Sequence, residues 1–232
     1  MPRALPAYLL RRYPHTVIAP GNVVLWVRHA QSLGNVERRL SHRVFDPPLT
    51  SLGVAQAVAV AAILAARGDL RGRPILCSPS MRTRQTADHI VQAIGGGRVI
   101  VDERLREIDC GDLDGRDDRQ TWEVVDRLKG AWARGDLEAS YPGGESLRNV
   151  LTRMYAALSR AAVLAEDGPA VLVGHGGSLG LYASQLLPPR ERSTFVRLAN
   201  ASVSEVLLTV RGGDLSVSVD TWNETRHLDA VG

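Results

Sequence analysis

Residues 22–28, NVVLWVR, form an almost continuous apolar run, and the polar segment HAQSLGN follows it at 29–35. An apolar run without polar alternation is typical of a strand that is covered on both faces by other layers of structure. Similar short runs recur at Pro74–Cys77 (PILC) and Ala170–Val173 (AVLV). Together these segments predict a buried sheet whose strands are mostly parallel.

Helical segments alternate with these strands. Thr50–Arg67 (TSLGVAQAVAVAAILAAR) predicts a helix with Thr50 or Ser51 as its N-cap. Two strands joined through Gly212-Gly213 predict an antiparallel hairpin at one edge of the sheet. The alternation predicts an α/β fold of three layers, with helices on both faces of a mostly parallel sheet. The other predicted elements are helices at 80–94, 120–133 (within a helical insert near 116–140), 145–164 and 179–187, and strands at 98–101, 203–210 and 215–221.

Length and composition suit a soluble globular protein. The chain has 232 residues, 44% of them hydrophobic, which fits an N-terminal arm at 1–20 and a single α/β domain at 21–232. No apolar run approaches the roughly 18 residues that cross a bilayer, and no signal peptide is evident. Two cysteines are too few for a disulfide framework. We therefore expect a cytoplasmic protein with no membrane partner; the sequence does not indicate the oligomeric state.

The charge pattern excludes two further classes. The formal net charge is +3, but the basic residues are scattered among carboxylates and form no block with interleaved aromatic residues, so no nucleic-acid partner is expected. Lys129 is the only lysine. Because a Walker loop needs a Gly-Lys-Ser/Thr triplet, which is absent from the sequence, this kind of nucleotide site is excluded.

Basic and polar residues follow three of the predicted strands. Ligands bind beyond the carboxyl ends of strands in sheets of this kind, so we expect these groups to converge. Arginine offers a planar fork of donors to phosphate oxygens, and a helix N-terminus adds free backbone N–H groups. The pattern predicts a phosphate pocket. Its candidate residues are Arg28, His29, Asn35, Arg82, His175 and Gly176.

Two histidines are more than phosphate binding alone requires. A neutral imidazole is a good nucleophile near neutral pH and can carry a phosphoryl group covalently. The alcohol that leaves then needs a proton, which a carboxyl group on the irregular 102–115 stretch can give. Glu107 is the strongest candidate, with Glu103 and Asp109 as alternatives.

Five motifs, in order along the chain, resemble those of the histidine phosphatase superfamily in its phosphoglycerate mutase-like branch 1. The resemblance spans about residues 23–206, and Ala30 departs from it because glycine is usual there. The N-terminal arm is a second departure. The motifs are RHAQSLGN at 28–35, SPSMRTRQTA at 78–87, LRE at 105–107, PGGES at 142–146 and GHGG at 174–177.

The resemblance implies a phosphatase of the acid type, a phosphoric monoester hydrolase that acts on a small phosphorylated substrate and needs no metal or other cofactor. It implies that His29 becomes phosphorylated and that Glu107 is the acid and base. It also assigns the phosphate-binding roles: the side chains of Arg28, Arg82 and His175 hold the phosphoryl group, Asn35 contacts it, and Gly176 offers a backbone N–H.

A cofactor-dependent phosphoglycerate mutase is the alternative within this family. Glu145 lies only 38 positions after Glu107, whereas such mutases carry a longer insert there that helps to close the site. Gly34 also stands where those mutases usually have a tryptophan. Both features favour hydrolysis.

A remote alternative is an esterase of the α/β-hydrolase class. Gly176–Gly180 (GGSLG) fits the nucleophile elbow, with Ser178 as the nucleophile and His227 completing a triad. An acid would come from Asp214, Asp220 or Glu224. However, only 52 residues follow Gly180, and that fold needs several further strand–helix units.

Two loops, 36–48 and 108–141, are predicted to form the substrate walls. We hypothesise that arginines on the first loop bind a second phosphate or carboxylate, and that aspartates on the second disfavour a highly charged ligand. Outside the pocket, we expect Glu145 to cap the long helix and His42 to lie at the surface or touch the substrate. The loop residues are Arg38, Arg39, Arg43, Asp112, Asp114, Asp117 and Asp118.

Overall fold

The computed structural model describes residues 22–186, 197–211 and 214–231. These residues build one six-stranded sheet with the strand order β3-β2-β4-β1-β5-β6. The strands are β1 (Asn22–Arg28), β2 (Ile75–Cys77), β3 (Val99–Val101), β4 (Ala170–Gly174), β5 (Val203–Arg211) and β6 (Asp214–Glu224).

Five of the six described helices lie near the predicted positions, and the short helix α1 was not predicted. Thr50 is the N-cap of the second helix, and its hydroxyl accepts a hydrogen bond from the Gly53 backbone N–H at 3.0 Å. The predicted insert contains one helix, α4. The helices are α1 (Leu33–Val36), α2 (Ser51–Ala66), α3 (Met81–Ala93), α4 (Arg119–Ala133), α5 (Leu147–Leu164) and α6 (Gly176–Leu186).

Alternate residues of β1 pack into two separate cores. Val24 and Trp26 join the core formed with α4, α5 and α6. Leu25 and Val27 join the core formed with α2 and α3 on the opposite face. Because side chains of a strand point alternately to the two faces, a wholly apolar strand is the expected centre of such a sandwich. The three-layer α/β prediction is confirmed.

The register of the sheet brings the ends of three strands together. β1 pairs with β4 in parallel, with Arg28 opposite Gly174, and β2 pairs with β4 in parallel, with Cys77 opposite Val173. β5 runs antiparallel to both β1 and β6, which confirms the antiparallel edge. The polar residues that follow β1, β2 and β4 therefore start from the carboxyl ends of three neighbouring parallel strands.

The cap of α5 differs from the prediction, and α6 begins at Gly176, three residues before the predicted start. The cap of α5 is Ser146, whose hydroxyl accepts a hydrogen bond from the Asn149 backbone N–H, and not Glu145. Glu145 instead accepts a hydrogen bond from the Asp109 backbone N–H at 2.9 Å. A serine at the N-cap can reach the free N–H groups of the first turn, so it displaces the preceding carboxylate from that role.

Several predictions fall outside the described residues. The arm at 1–20, the Gly212-Gly213 turn and the end of the helix at 187 belong to this group. The single domain at 21–232 stays a prediction. Among the helices that the structure describes, none is long and apolar enough to cross a membrane.

Candidate active site

A cavity of about 350 Å³ lies at the carboxyl ends of β1 and β4. Such a volume lies in the range of small-molecule sites. Five of the predicted residues line it directly, while His175 lies behind them and contacts two of them. The five are Arg28, His29, Asn35, Arg82 and Glu107.

His29 follows β1 and is almost completely buried. Its Nδ1 atom lies 2.7 Å from the Ala30 carbonyl oxygen, which can only accept, so Nδ1 carries the proton. The other nitrogen, Nε2, lies 3.3 Å from the Nε atom of Arg82. Burial lowers the pKa of His29 well below its usual value, and the charges of Arg82 and Arg28 lower it further. The imidazole is therefore neutral, with the lone pair on Nε2.

His175, between β4 and α6, lies beside His29 with their ring centroids 5.2 Å apart. Its Nε2 lies 2.7 Å from the Ser78 hydroxyl, and Nη2 of Arg82 lies 3.1 Å from its Nδ1. Arginine can only donate, so Nδ1 accepts and Nε2 carries the proton. Burial, followed by the charge of Arg82, lowers the pKa of His175 well below its usual value.

Arg82, at the start of α3, connects the two histidines. Its guanidinium also donates to the Asp46 carboxylate at 3.1 Å and to the Ser41 carbonyl at 3.0 Å. Asp46 additionally accepts the Met81 backbone N–H, which holds the start of α3. Asp46 was not predicted as part of the site, because nothing in its local sequence links it to a residue 36 positions away.

Arg28 fills the space beside the start of α6. Its Nη1 donates to the Leu198 carbonyl oxygen. A Cβ atom at position 176 would lie 2.8 Å from the Nε of Arg28, so a larger residue there would displace the Arg28 side chain. The structure thus gives Gly176 a packing reason; that its N–H binds phosphate stays a prediction.

Asn35 lies in α1, and its Oδ1 atom anchors the loop after β1. This oxygen accepts hydrogen bonds from the Ser32 backbone N–H at 3.0 Å and from the Asn200 side chain at 2.9 Å. Asn200 also donates to the His29 carbonyl at 3.1 Å. Asn200 was not predicted; its two hydrogen bonds tie the loop that carries His29 to the segment before β5.

Glu107 is the only carboxylate among the described residues that line the cavity. Its Oε2 accepts the Gly177 backbone N–H at 2.9 Å, and its Oε1 accepts that of Ser178 at 2.7 Å. The two alternatives lie elsewhere: Glu103 is exposed and pairs with Arg106, and Asp109 lies 3.5 Å from His42. The geometry therefore favours Glu107.

Arg153 of α5 holds the loop that carries Glu107. Its guanidinium donates to the carbonyl oxygens of Arg104 at 2.7 Å, Arg106 at 2.8 Å and Glu107 at 3.2 Å. It also pairs with the Glu145 carboxylate at 2.7 Å. Arg153 was absent from the sequence prediction, because a contact to backbone carbonyls leaves no motif.

The predicted walls are partly wrong. Arg38 and Arg39 line the cavity, but Arg43 does not, and neither do the four aspartates. Asp114 instead accepts the backbone N–H groups of residues 42–44, which fixes the loop. His42 is buried, which excludes its proposed surface position, and it does not line the cavity.

The geometry contradicts the esterase alternative. Ser178 is fully buried, and its hydroxyl has no hydrogen-bond partner among the described residues. The Nε2 of His227 bonds instead with the Ala201 carbonyl at 2.9 Å. A nucleophile elbow exposes its serine to the substrate, so this interpretation is wrong.

The described ranges offer no reactive thiol at the cavity and no cluster of metal ligands. Cys110 lines the cavity, but burial raises the pKa of its thiol to about 12, which leaves little thiolate at neutral pH. No group of three or more histidine, cysteine or carboxylate side chains there is arranged to hold a metal ion.

Comparison with known proteins establishes the family. The family described as Histidine phosphatase superfamily (branch 1) matches residues 24–224. The chain belongs to the histidine phosphatase superfamily. One member, "Probable phosphoglycerate mutase GpmB" of Salmonella paratyphi C, is 33% identical over 211 residues, covering 89% of this chain and 95% of the relative.

Solved structures of the superfamily share the fold. A mycobacterial glucosyl-3-phosphoglycerate phosphatase in complex with VO3 is 28% identical, with a TM-score of 0.74, covering 88% of this chain and all of the other. The α-ribazole phosphatase of Shigella flexneri is 22% identical with a TM-score of 0.67, covering 87% of this chain and 96% of the other, and shows the fold alone. Curated relatives thus carry a mutase name, whereas the structural neighbours carry phosphatase names.

Proposed function

We propose that this histidine phosphatase superfamily member hydrolyses phosphomonoesters of small metabolites through a phosphohistidine at His29, without a metal ion. The observation that carries the proposal is the neutral His29 imidazole, which keeps its proton on Nδ1 and directs Nε2 toward Arg82 in the cavity. A buried neutral imidazole beside two arginines combines a nucleophile with the charge that an incoming phosphoryl group needs.

In the first step, the Nε2 lone pair attacks phosphorus and the bond from phosphorus to the ester oxygen breaks. Protonated Glu107 gives its proton to the leaving alcohol. The guanidinium groups of Arg28 and Arg82 stabilise the charge on the phosphoryl oxygens. His175 supports Arg82 from behind, through the hydrogen bond that its Nδ1 accepts at 3.1 Å. Asn35 contacts the same phosphoryl oxygens, and the backbone N–H of Gly176 donates a hydrogen bond to them.

In the second step, the Glu107 carboxylate takes a proton from water, and the resulting oxygen attacks the phosphohistidine. The bond between phosphorus and Nε2 breaks, inorganic phosphate leaves, and His29 returns to its neutral form. Glu107 regains its proton in this step, so the cycle closes with no net change in the enzyme.

A cofactor-dependent mutase is the second candidate, because the curated relative carries that name. Two observations favour hydrolysis. The segment between Glu107 and Glu145 is short and contains one α-helix, α4. The mycobacterial protein that is 28% identical to this chain is named a phosphatase. The two reactions differ in what accepts the phosphoryl group. Incubation with 3-phosphoglycerate and 2,3-bisphosphoglycerate is expected to release inorganic phosphate; formation of 2-phosphoglycerate instead would support the mutase.

Turnover of p-nitrophenyl phosphate in the presence of a chelator tests the proposed hydrolysis. We expect wild-type protein to release phosphate, His29→Ala to lose activity by at least about a thousandfold, and Ser178→Ala, which retains the backbone N–H to Glu107, to keep most of it. Activity that disappears with chelator and returns with a divalent cation would overturn the metal-independent mechanism. Activity that survives in His29→Ala would overturn the nucleophile.

A further inference from the structure

Helix α2 carries apolar side chains on its exposed side as well as on its buried side. It runs from Ser51 to Ala66 and contains no charged residue. Its buried residues join the core beneath it, yet Val54 is 41% exposed and Val58 is 53% exposed on the other side. A helix that is apolar all round is normally covered all round. We call the exposed stripe the α2 face; its residues are Val54, Ala55, Val58, Ala62 and Ala66.

The neighbouring helices have ordinary polar surfaces. In the same layer, α3 exposes Arg84, Asp88 and Gln92. On the opposite side of the sheet, the exposed residues of α5 include Asn149 and Arg160. Charged and polar residues on the outer side are typical of a surface helix. The α2 face differs from both, and a contiguous exposed apolar surface of this kind marks a place of contact with another segment or molecule.

The direction of α2 shows which part of the chain lies close to its end. At its start, the Thr50 backbone N–H donates to the Gln31 carbonyl oxygen at 3.0 Å, just beyond the carboxyl end of β1. After its end, Arg67 donates to the Glu205 carboxylate of β5 at 2.6 Å. Glu205 pairs with Leu25 of β1. The helix therefore runs antiparallel to β1 and ends toward the amino end of that strand.

The N-terminal arm, residues 1–20, enters the domain at this same end, because β1 begins at Asn22. The arm contains no acidic residue, and its residues 4–10, ALPAYLL, are uncharged and largely apolar. The match to the family begins at residue 24, so the arm lies outside the part shared with the family. A helix of the length of α2 is about 24 Å long. Twenty residues can extend to about 65 Å, so the arm is long enough to follow the whole face.

We propose that the N-terminal arm packs on the α2 face of its own chain, through the apolar side chains of residues 4–10. This contact removes Val54 and Val58 from water, which is the term that stabilises it. The arm is tethered beside the end of the same helix, so its high local concentration favours contact within one chain over contact between two chains. A second copy on the same face is the competing occupant.

Paramagnetic relaxation measured by NMR on the full-length, ¹⁵N-labelled protein tests this contact. A nitroxide is attached to Ser51→Cys, which is exposed at the far end of α2 from Asn22. The native Cys77 and Cys110 are both buried, so the reagent is directed to the introduced thiol. We expect the amide signals of residues 4–10 to lose most of their intensity, compared with the same sample after reduction of the nitroxide.

A nitroxide on Val163→Cys is the matched control. Val163 is 59% exposed on α5. The carbonyl oxygen of the preceding residue, Ala162, accepts a hydrogen bond from the Asn22 side chain at 2.8 Å, so this label lies beside the point where the arm joins β1. It lies on the opposite side of the sheet from α2. A docked arm should therefore keep its signals with this label, whereas an arm that moves freely would lose at least as much intensity as with the label at Ser51→Cys.

A charge placed in the α2 face should release the arm. Val58→Lys puts an ammonium group where the arm would bury it beside its own apolar side chains, which is unfavourable. The loss of intensity caused by the nitroxide at Ser51→Cys should then disappear. Val163→Lys, an equally exposed change on α5, should retain it. The chemical shifts of residues 22 onward show whether each variant keeps its fold.

Three results would overturn the proposal. The first is no loss of intensity in residues 4–10 from the label at Ser51→Cys, or an equal loss from the label at Val163→Cys. The second is a loss that persists in Val58→Lys while the fold is kept. The third is a loss in ¹⁵N-labelled protein without a nitroxide, when it is mixed with unlabelled protein that carries one, because a second copy would then cover the α2 face.

Discussion

The Glu107 carboxylate lies on the N-terminus of α6, where its Oε2 accepts the Gly177 backbone N–H at 2.9 Å. The neighbouring N–H of Ser178 donates to Oε1 at 2.7 Å. A helix N-terminus suits an anion, because its free N–H groups and its dipole both favour negative charge. The proposed acid therefore occupies a place that also suits a phosphate.

Replacement of Gly177 by alanine should disturb the acid selectively. The added Cβ would lie 2.4 Å from the Glu107 Oε1 atom, so the carboxylate must move. We expect kcat/KM for an alkyl phosphate to fall by about tenfold or more. For p-nitrophenyl phosphate the fall should be smaller, because nitrophenolate leaves without a proton.

Gly130→Ala is the matched control for this comparison. Gly130 lies on α4, and a Cβ there would contact only Arg134 at 3.4 Å. It should leave both substrates unaffected. An equal fall for both substrates in Gly177→Ala would contradict a role of Glu107 as the acid for the leaving group.

Removal of Arg153 should loosen the same acid without touching the substrate. Arg153→Ala leaves three backbone carbonyls and Glu145 without this donor. We expect kcat/KM across a series of aryl phosphates to depend more steeply on the pKa of the leaving phenol, with partial recovery in Arg153→Lys. Urea unfolding should show a loss of about 1–3 kcal/mol.

Arg148→Ala, on the same helix, is the control because Arg148 pairs with Glu138 at 2.7 Å, away from the cavity lining. If Arg153→Ala lowered stability but left the leaving-group dependence unchanged, Arg153 would be structural only.

The charge state of His29 can be measured directly. Burial and the nearby arginines lower the pKa of His29 well below its usual value, so the ring should stay neutral as the pH falls through 6.5. Heteronuclear NMR of the ring nitrogens, assigned with His29→Asn, should show the Nδ1-protonated tautomer at pH 6. Titration of His29 near pH 6.5 would contradict a neutral nucleophile at mildly acidic pH, and with it the acid-type activity.

Stability should fall in acid for the same reason. The pKa values of His29 and His175 are lowered by burial in the folded protein, whereas in the unfolded chain they return to about 6.5. Below pH 6.5 the unfolded state therefore binds more protons than the folded state. The free energy of unfolding should decrease as the pH falls, by up to about 1.4 kcal/mol per pH unit for each histidine.

Urea titrations at pH 7.5, 6.5 and 5.5 check this dependence, with His29→Asn and His175→Asn as comparisons. Each variant should show a shallower pH dependence than the wild type, since one buried imidazole has been removed. The same slope in all three proteins would show that other groups cause it.

The sheet and its polar edge could be predicted because their signals are local. Val24–Val27 contains no polar residue, and this pattern alone requires cover on both faces. Arg28, Arg82 and His175 lie at or after the carboxyl ends of predicted parallel strands, and such ends lie on the same side of a sheet. The five ordered motifs strengthen this prediction, because their resemblance to one family implies that residues far apart in the sequence belong to the same site.

The supporting residues could not be predicted, because they act across long sequence separations. Arg153 contacts the carbonyl oxygens of residues 46–49 positions earlier, and Asn200 contacts residues more than 160 positions earlier. Such contacts involve the backbone or a single amide. They depend on how the helices pack, and not on a spacing that the sequence displays.

Glu145 and His42 show a second reason for error. Glu145 was predicted to cap α5 because it lies next to the predicted start of the helix. Instead, Ser146 accepts the Asn149 backbone N–H of the first turn, and Glu145 pairs with Arg153. A loop position suggested the surface for His42, but Asp114 folds this loop back by accepting three of its N–H groups. In both cases a neighbouring side chain decides the outcome.

The most direct test of the account is to trap the phosphorylated enzyme. Wild-type protein is mixed with a phosphomonoester labelled with ³²P, quenched in alkali within milliseconds, and digested for mass spectrometry. A phosphohistidine mechanism predicts acid-labile phosphate on Nε2 of His29, and no label in His29→Asn. Phosphate release at the wild-type rate without any labelled His29, or label on another residue, would contradict the phosphohistidine mechanism.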